Sequence, residues 1–122
     1  MKILALVMAV FFGAALITTP AAAQSNADFR LFNQTGYEIE KLYVSPSASR
    51  NWGPDRLGND TLPNGRYWTL RFPNAQAQCM QDMKVVFADG DEITYERLNL
   101  CSFARLTLRY NRKTKRVWYE TE

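Results

Sequence analysis

Histidine is absent from all 122 residues. Its absence removes the usual general base near neutral pH, the Ser-His and Cys-His nucleophile pairs, and the commonest zinc and copper ligand. Cysteine is confined to Cys79 and Cys101, twenty-two positions apart, which is not the C-x-x-C spacing of a thiol oxidoreductase. Helical periodicity is hard to find after residue 24. Past the first 23 residues no apolar run approaches the length needed to cross a bilayer. Carboxylate-only hydrolysis is the catalytic chemistry left open. Asp55 and Asp60 are its nearest candidates, and nothing marks them as a matched pair. The sequence therefore reads as a protein without enzymatic activity, cofactor or metal.

What is present begins with a leader. Lys2 supplies a positive end, Ile3 to Ile17 an apolar run broken by Gly13, and Ala21-Ala22-Ala23 a small-residue cleavage site, which together have the form of a secretory signal peptide. Residues 1–23 are read as that signal and residues 24–122 as one domain, periplasmic or secreted, with no membrane span after cleavage. Ninety-nine of 122 residues then remain, close to the lower comfortable limit for a self-sufficient core. An oxidising compartment makes a Cys79–Cys101 disulfide the default, with a free redox pair as the competing reading. Without Lys2 the chain carries 14 basic and 12 acidic side chains, so the formal +3 falls to +2.

The rest alternates with the period of β structure. Phe29 to Phe32 is a first strand, ended by the turn-like Asn33-Gln34-Thr35-Gly36. In Tyr37 to Val44 the apolar face changes partway, as a β-bulge near Glu40 and Lys41 would produce. Tyr67 to Phe72 places Trp68, Leu70 and Phe72 on one face. Met83 to Phe87 leads through Ala88-Asp89-Gly90-Asp91 into Ile93 and Tyr95, and Asp-Gly is a strong hairpin signal. The same turn explains Asp89 and Asp91 without calcium, whose ligand series is missing. Ala104 to Tyr110 and Lys115 to Glu120 form a last hairpin around Asn111 to Thr114. About seven strands predict an all-β chain folded as a single compact β-sandwich with one disulfide. The immunoglobulin Cys-Trp-Cys pattern is not met, since no Trp lies between the cysteines.

Two segments carry candidate function. Residues 45–66 form a connection too long for a plain turn, and such loops are usually functional or disordered. Trp52, Leu57 and Leu62 argue for order. In a binding reading Trp52 presents a flat face with Asp55 and Arg56 beside it and Tyr43 and Tyr67 as neighbours, suited to a glycan or other cell-envelope component. In a structural reading Trp52 plugs an open end of the sandwich while Asp55 and Asp60 bond backbone amides, which still leaves a polar rim for binding. The second segment is the basic hairpin of Arg105, Arg109, Arg112, Lys113, Lys115 and Arg116. It reads either as a solvated edge or as a surface for an anionic partner, such as an anionic glycan or lipid head groups, with nucleic acid not expected; another exported protein is a further candidate partner of the chain. Asn33-Gln34-Thr35 and Asn59-Asp60-Thr61 match the glycosylation acceptor pattern, a tripeptide frequent by chance.

Asn33-x-Thr35-Gly36-Tyr37, Leu42-Tyr43-Val44-Ser45-Pro46-Ser47, Trp52-Gly53-Pro54-Asp55-x-Leu57-Gly58, Leu62-Pro63-x-Gly65 and Val85-Val86-Phe87-x-Asp89-Gly90 occur in this order in a group of short exported bacterial β-rich proteins, which the chain resembles from about Phe29 to Cys101. The resemblance implies paired cysteines and no established activity. Some members of the group carry an argininosuccinate lyase label. That enzyme is large, helical and oligomeric, with a flexible serine loop that has no counterpart in this sequence.

Overall fold

Alternation sets the faces of each strand, and one irregularity lets all the apolar residues reach the same core. In a computed structural model, which describes Gly13, residues 25–74 and residues 77–122, Ile39, Leu42 and Val44 are all buried although their spacing is odd. The pairing register shifts between Ile39 and Lys41. The expected bulge is therefore present, and it rotates the strand so that both halves face inward. The signal-peptide reading falls on residues outside the described ones.

Seven strands follow in order: β1 (Phe29–Gln34), β2 (Ile39–Pro46), β3 (Tyr67–Leu70), β4 (Met80–Phe87), β5 (Glu92–Asn99), β6 (Arg105–Asn111) and β7 (Arg116–Thr121), with a 3-10 turn at Leu100–Ser102. They form a four-stranded sheet ordered β3-β1-β6-β7 and a three-stranded sheet ordered β2-β4-β5. The pairing of β1 with β6 is parallel, and every other pair is antiparallel. Leu31, Leu70, Leu106 and Leu108 from one sheet meet Leu42, Met83, Val85, Phe87 and Leu98 from the other in a single buried cluster. The fold is an all-β sandwich closed by the Cys79–Cys101 disulfide.

Several boundaries differ from the sequence reading for identifiable reasons. The third strand stops at Leu70 and not at Phe72, because the Phe72 N–H leaves the ladder and donates to Asp28 Oδ1 at 2.8 Å. The second runs to Pro46 and the fourth begins at Met80, since Ser45 and Pro46 pair with Asp82 and Gln81. Asn33 belongs to β1 and not to a turn. Ala104 precedes β6, and its carbonyl accepts the Arg30 N–H at 2.9 Å. The last turn is Arg112 to Lys115, one position later than Asn111 to Thr114. The Asp-Gly hairpin forms as expected, with Gly90 at φ 91°, where a side chain would be strained.

Each exposed sheet edge invites pairing with another chain. The edge of β2 is covered by the long connection: the Leu42 N–H donates to Asp55 Oδ1 at 2.9 Å, the Arg56 N–H donates to the Leu42 carbonyl at 2.6 Å, and Ile39 and Leu62 exchange two backbone bonds. Leu57 and Leu62 are buried beneath that cover. They close the sandwich, and Trp52 does not.

Tyr95 is buried against Tyr119, and its hydroxyl has no hydrogen-bond partner among the described residues. Burial pushes its phenol above the ordinary value of 10.0. Below that pH both folded and unfolded chains hold the proton. Above it the unfolded chain releases a proton that the folded chain keeps, so stability falls as pH rises, by up to about 1.4 kcal/mol per pH unit. Tyr95→Phe is expected to raise stability by about 1 kcal/mol at neutral pH by removing an unsatisfied hydroxyl. It should also flatten the alkaline decline between pH 10 and 12, as followed by urea unfolding.

Candidate functional site

The loop residues separate into two groups once their partners are traced. Asp55 Oδ1 accepts the N–H groups of Leu42 and Leu57, the latter at 3.0 Å, and so serves as the clasp on the β2 edge. The Arg56 guanidinium donates to the Arg71 carbonyl at 2.6 Å and lies 5.0 Å from the Phe72 ring centre. Desolvation lowers the pKa of that guanidinium, and the Asp28 charge opposes the shift. Both side chains hold the loop to the body of the domain. Asp60 is exposed.

Trp52 and Tyr43 do come together, through a residue that the sequence reading did not single out. Lys84 Nζ lies 4.9 Å from the Tyr43 ring centre and 5.2 Å from that of Trp52. Tyr43 and Lys84 are opposed on β2 and β4, on the outer face of the three-stranded sheet. Trp52 is half-buried over them. A hollow of about 100 Å³ beside it is lined by Ser45, Ser49, Arg50, Asn51, Trp52 and Asp82. It is crossed by protein bonds, since Ser45 Oγ donates to the Asn51 carbonyl at 2.6 Å and Ser47 Oγ to Asp82 Oδ1 at 2.8 Å. Tyr67 is not a neighbour of Trp52. It lies on β3, in the other sheet, and its side chain faces the opposite side of the sandwich.

That opposite side brings together residues the sequence scatters. Outward positions of the four-stranded sheet line up in rows: Thr69, Arg30, Arg105 and Glu122, then Tyr67, Phe32, Thr107 and Glu120, then Gln34, Arg109 and Trp118. Phe32 and Tyr67 pack with ring centres 5.2 Å apart. Arg105 lies over Phe32 at 3.8 Å and Arg30 over Tyr67 at 5.4 Å. Arg30 and Arg105 are direct cross-strand neighbours, an arrangement of like charges that costs stability unless something offsets it.

Two adjoining hollows open here. One, of about 230 Å³, is lined by Asp28, Phe29, Arg30, Thr69, Arg71 and Ala104. The other, of about 390 Å³, is lined by Arg30, Phe32, Ala104 and Arg105. The Asp28 carboxylate already accepts the Phe72 and Ser25 N–H groups. Among the described residues neither Arg30 nor Arg71 has a carboxylate at ion-pair distance, whereas Arg105 has Glu122 at 3.6 Å.

The basic hairpin is less available than its sequence implies. Arg109 faces Glu120 at 3.6 Å. Arg112 pairs with Asp89 at 2.6 Å and stacks 3.6 Å from the Tyr37 ring centre. The Asp91 backbone N–H, together with the Arg112 guanidinium, holds the Asp89 carboxyl below the usual carboxylate range. Arg116 lies 5.2 Å from the Trp118 ring centre, while Lys113 and Lys115 are exposed on the turn. The hairpin's cations thus divide among a stacked ion pair, the outer sheet face and the turn. Arg30, Phe32, Arg71, Lys84 and Trp118 are not candidates in the sequence, where no local motif marks them. The alternation of Arg30 and Phe32 with buried Phe29 and Leu31 was the available signal for two of them.

Among the described residues no three Cys, Asp or Glu side chains gather as a metal set, and no helix is long and apolar enough to cross a membrane. No family model matches the chain, and no curated protein matches it. The chain is similar in fold to a protein from Eubacterium rectale solved by NMR, with a TM-score of 0.55, 16% identity, and coverage of 81% of this chain and 88% of that one.

Proposed function

We propose that the chain is an exported, non-catalytic binding module that takes an anionic cell-envelope polymer, such as an acidic glycan, on the outer face of its four-stranded sheet. The observation that carries this reading is the placement of Arg30 between two adjoining hollows, with Arg71 and Arg105 at their far sides and the Phe32 and Tyr67 rings alongside. Guanidinium groups recognise carboxylate and sulfate groups in a planar, bidentate fashion. The neighbouring rings offer apolar faces on which sugar rings can lie. Like charges held side by side gain most from a bridging anion. Export through the leader at residues 1–23, and kinship with the short exported bacterial proteins the chain resembles, belong to the same proposal.

Titration with a polyuronate and with a neutral glucan tests it. Polyuronate binding should weaken with added salt, with a log–log slope of magnitude about 2 to 3 for three engaged guanidiniums. Arg30→Glu is expected to weaken binding at least about tenfold, with Tyr67→Ala weakening it less and leaving the salt slope in place. Salt-independent binding that survives Arg30→Glu would sink the reading. A second reading, a neutral sugar on Trp52, is favoured by the half-exposed indole beside the Ser45 hollow. It predicts glucan binding that Trp52→Ala abolishes.

A further inference from the structure

Three of the four sheet edges are protected, and one is not. The β2 edge is clasped by Asp55 and Leu62. The β3 edge is four residues long, between Arg66 and Arg71. The β5 edge carries Glu92 and Glu96 and is broken by a register shift opposite Gln81 and Met83, with Arg97 at φ 53°. These are the usual devices against edge pairing. Strand β7 has none of them at its centre, where Val117, Trp118 and Tyr119 follow one another. Val117 is 38% and Tyr119 45% exposed, two of the exposed large apolar residues of the described chain.

The orientation of the β7 backbone follows from its pairing. Glu122 and Arg105 exchange both backbone bonds, at 3.0 and 3.1 Å. By alternation Glu120, Trp118 and Arg116 turn their N–H and C=O groups toward β6, and Val117, Tyr119 and Thr121 turn theirs to the open edge. Strand β7 is the last of its sheet, and among the described residues no further strand pairs with it.

We infer that β7 pairs antiparallel with β7 of a second copy of this chain, about a two-fold axis at Trp118, to join two four-stranded sheets into one of eight strands. The strand is self-complementary in this register. Val117 and Tyr119 of the two copies exchange the free backbone bonds. Arg116 of each copy stands opposite Glu120 of the other, and the two Trp118 side chains meet as the central pair. A symmetric interface requires this reciprocity of one patch with itself. Opposite charges across a closely spaced strand pair also fix its register. None of these residues lines the hollows around Arg30, so the dimer and the binding reading stand or fall separately.

Sedimentation equilibrium of the exported, processed chain over loading concentrations up to about 0.1 mM reads the assembly directly, and a reversible monomer–dimer equilibrium is expected. Tyr119→Pro removes a donor on the open edge while sparing the β6 ladder, and should leave a cooperatively melting monomer. Arg116→Glu and Glu120→Arg alone each replace two attractive pairs with repulsive ones, weakening the dimer about tenfold. The double exchange should restore it to within about threefold. A wild-type chain that stays monomeric overturns the inference. So does a dimer that persists in folded Tyr119→Pro, or single exchanges that the double exchange fails to rescue. If Tyr119→Pro does not fold, the charge exchange decides alone.

Discussion

Asn33→Ala is expected to lower the unfolding free energy by about 3 to 5 kcal/mol, which for a domain of this size removes a third or more of the total. Asn33 is 0% exposed, and every hydrogen-bonding valence of its amide that matters is used. Nδ2 donates to the Tyr37 carbonyl at 2.7 Å and to the Leu62 carbonyl at 2.9 Å. Oδ1 accepts from the Thr35 N–H at 3.1 Å and the Thr35 hydroxyl at 2.6 Å. One side chain thereby ties β1, the turn into β2 and the end of the long connection. Alanine would remove all four bonds and leave the buried Thr35 N–H without its partner, while the Leu62 carbonyl would keep only the Ile39 N–H and the Tyr37 carbonyl only the Thr35 hydroxyl. Urea unfolding of the variant measures the loss, and a change under about 1 kcal/mol would mean the network is dispensable. The same burial keeps the Asn33 amide from serving as a glycosylation acceptor in the folded chain.

Loss of the disulfide is the second large effect. Cys79 directly precedes β4 and Cys101 lies in the 3-10 turn that follows β5, so the bridge closes the open end of the β4–β5 hairpin across 22 positions. The Leu100 N–H donates to the Cys79 carbonyl at 2.8 Å beside it. In the chain-entropy account a loop of this length is worth about 3 kcal/mol. The paired Cys79→Ser and Cys101→Ser variant should therefore melt about 10 to 20 °C lower than the wild type. Added reductant should lower the melt of the wild type and leave that of the variant unchanged. A reduced chain that melts with the wild type would show that the strand ladder alone defines this end of the sandwich.

What was legible in the sequence was local. Alternation located the strands, the odd spacing from Ile39 to Leu42 located the bulge, and a lone pair of cysteines outside C-x-x-C spacing located the bridge. Of the three residues that argue for an ordered loop, Leu57 and Leu62 are buried and Trp52 is half-buried, but Asp55 carries two meanings in the sequence. A carboxylate beside glycine and proline can present itself to a ligand or clasp a strand edge. The choice depended on the unpaired backbone of Leu42, thirteen residues earlier. The outer face was less legible still. Arg30, Arg71 and Arg105 share a groove because β1 pairs with β3 on one side and, in parallel, with β6 on the other. No local pattern encodes a parallel neighbour so distant in sequence. The basic hairpin was visible as a charge cluster, yet the carboxylates that occupy Arg105, Arg109 and Arg112 come from other strands and turns.

Binding is proposed on the four-stranded sheet, whereas the long loop protects the β2 edge. Backbone chemical-shift mapping during polyuronate titration compares those two surfaces in one experiment. Shifts are expected at Arg30, Phe32, Tyr67, Thr69, Arg71 and Arg105, graded with ligand and suppressed by salt. Shifts confined to Ser45, Asn51, Trp52 and Asp82 would contradict that placement and move the binding surface to the loop.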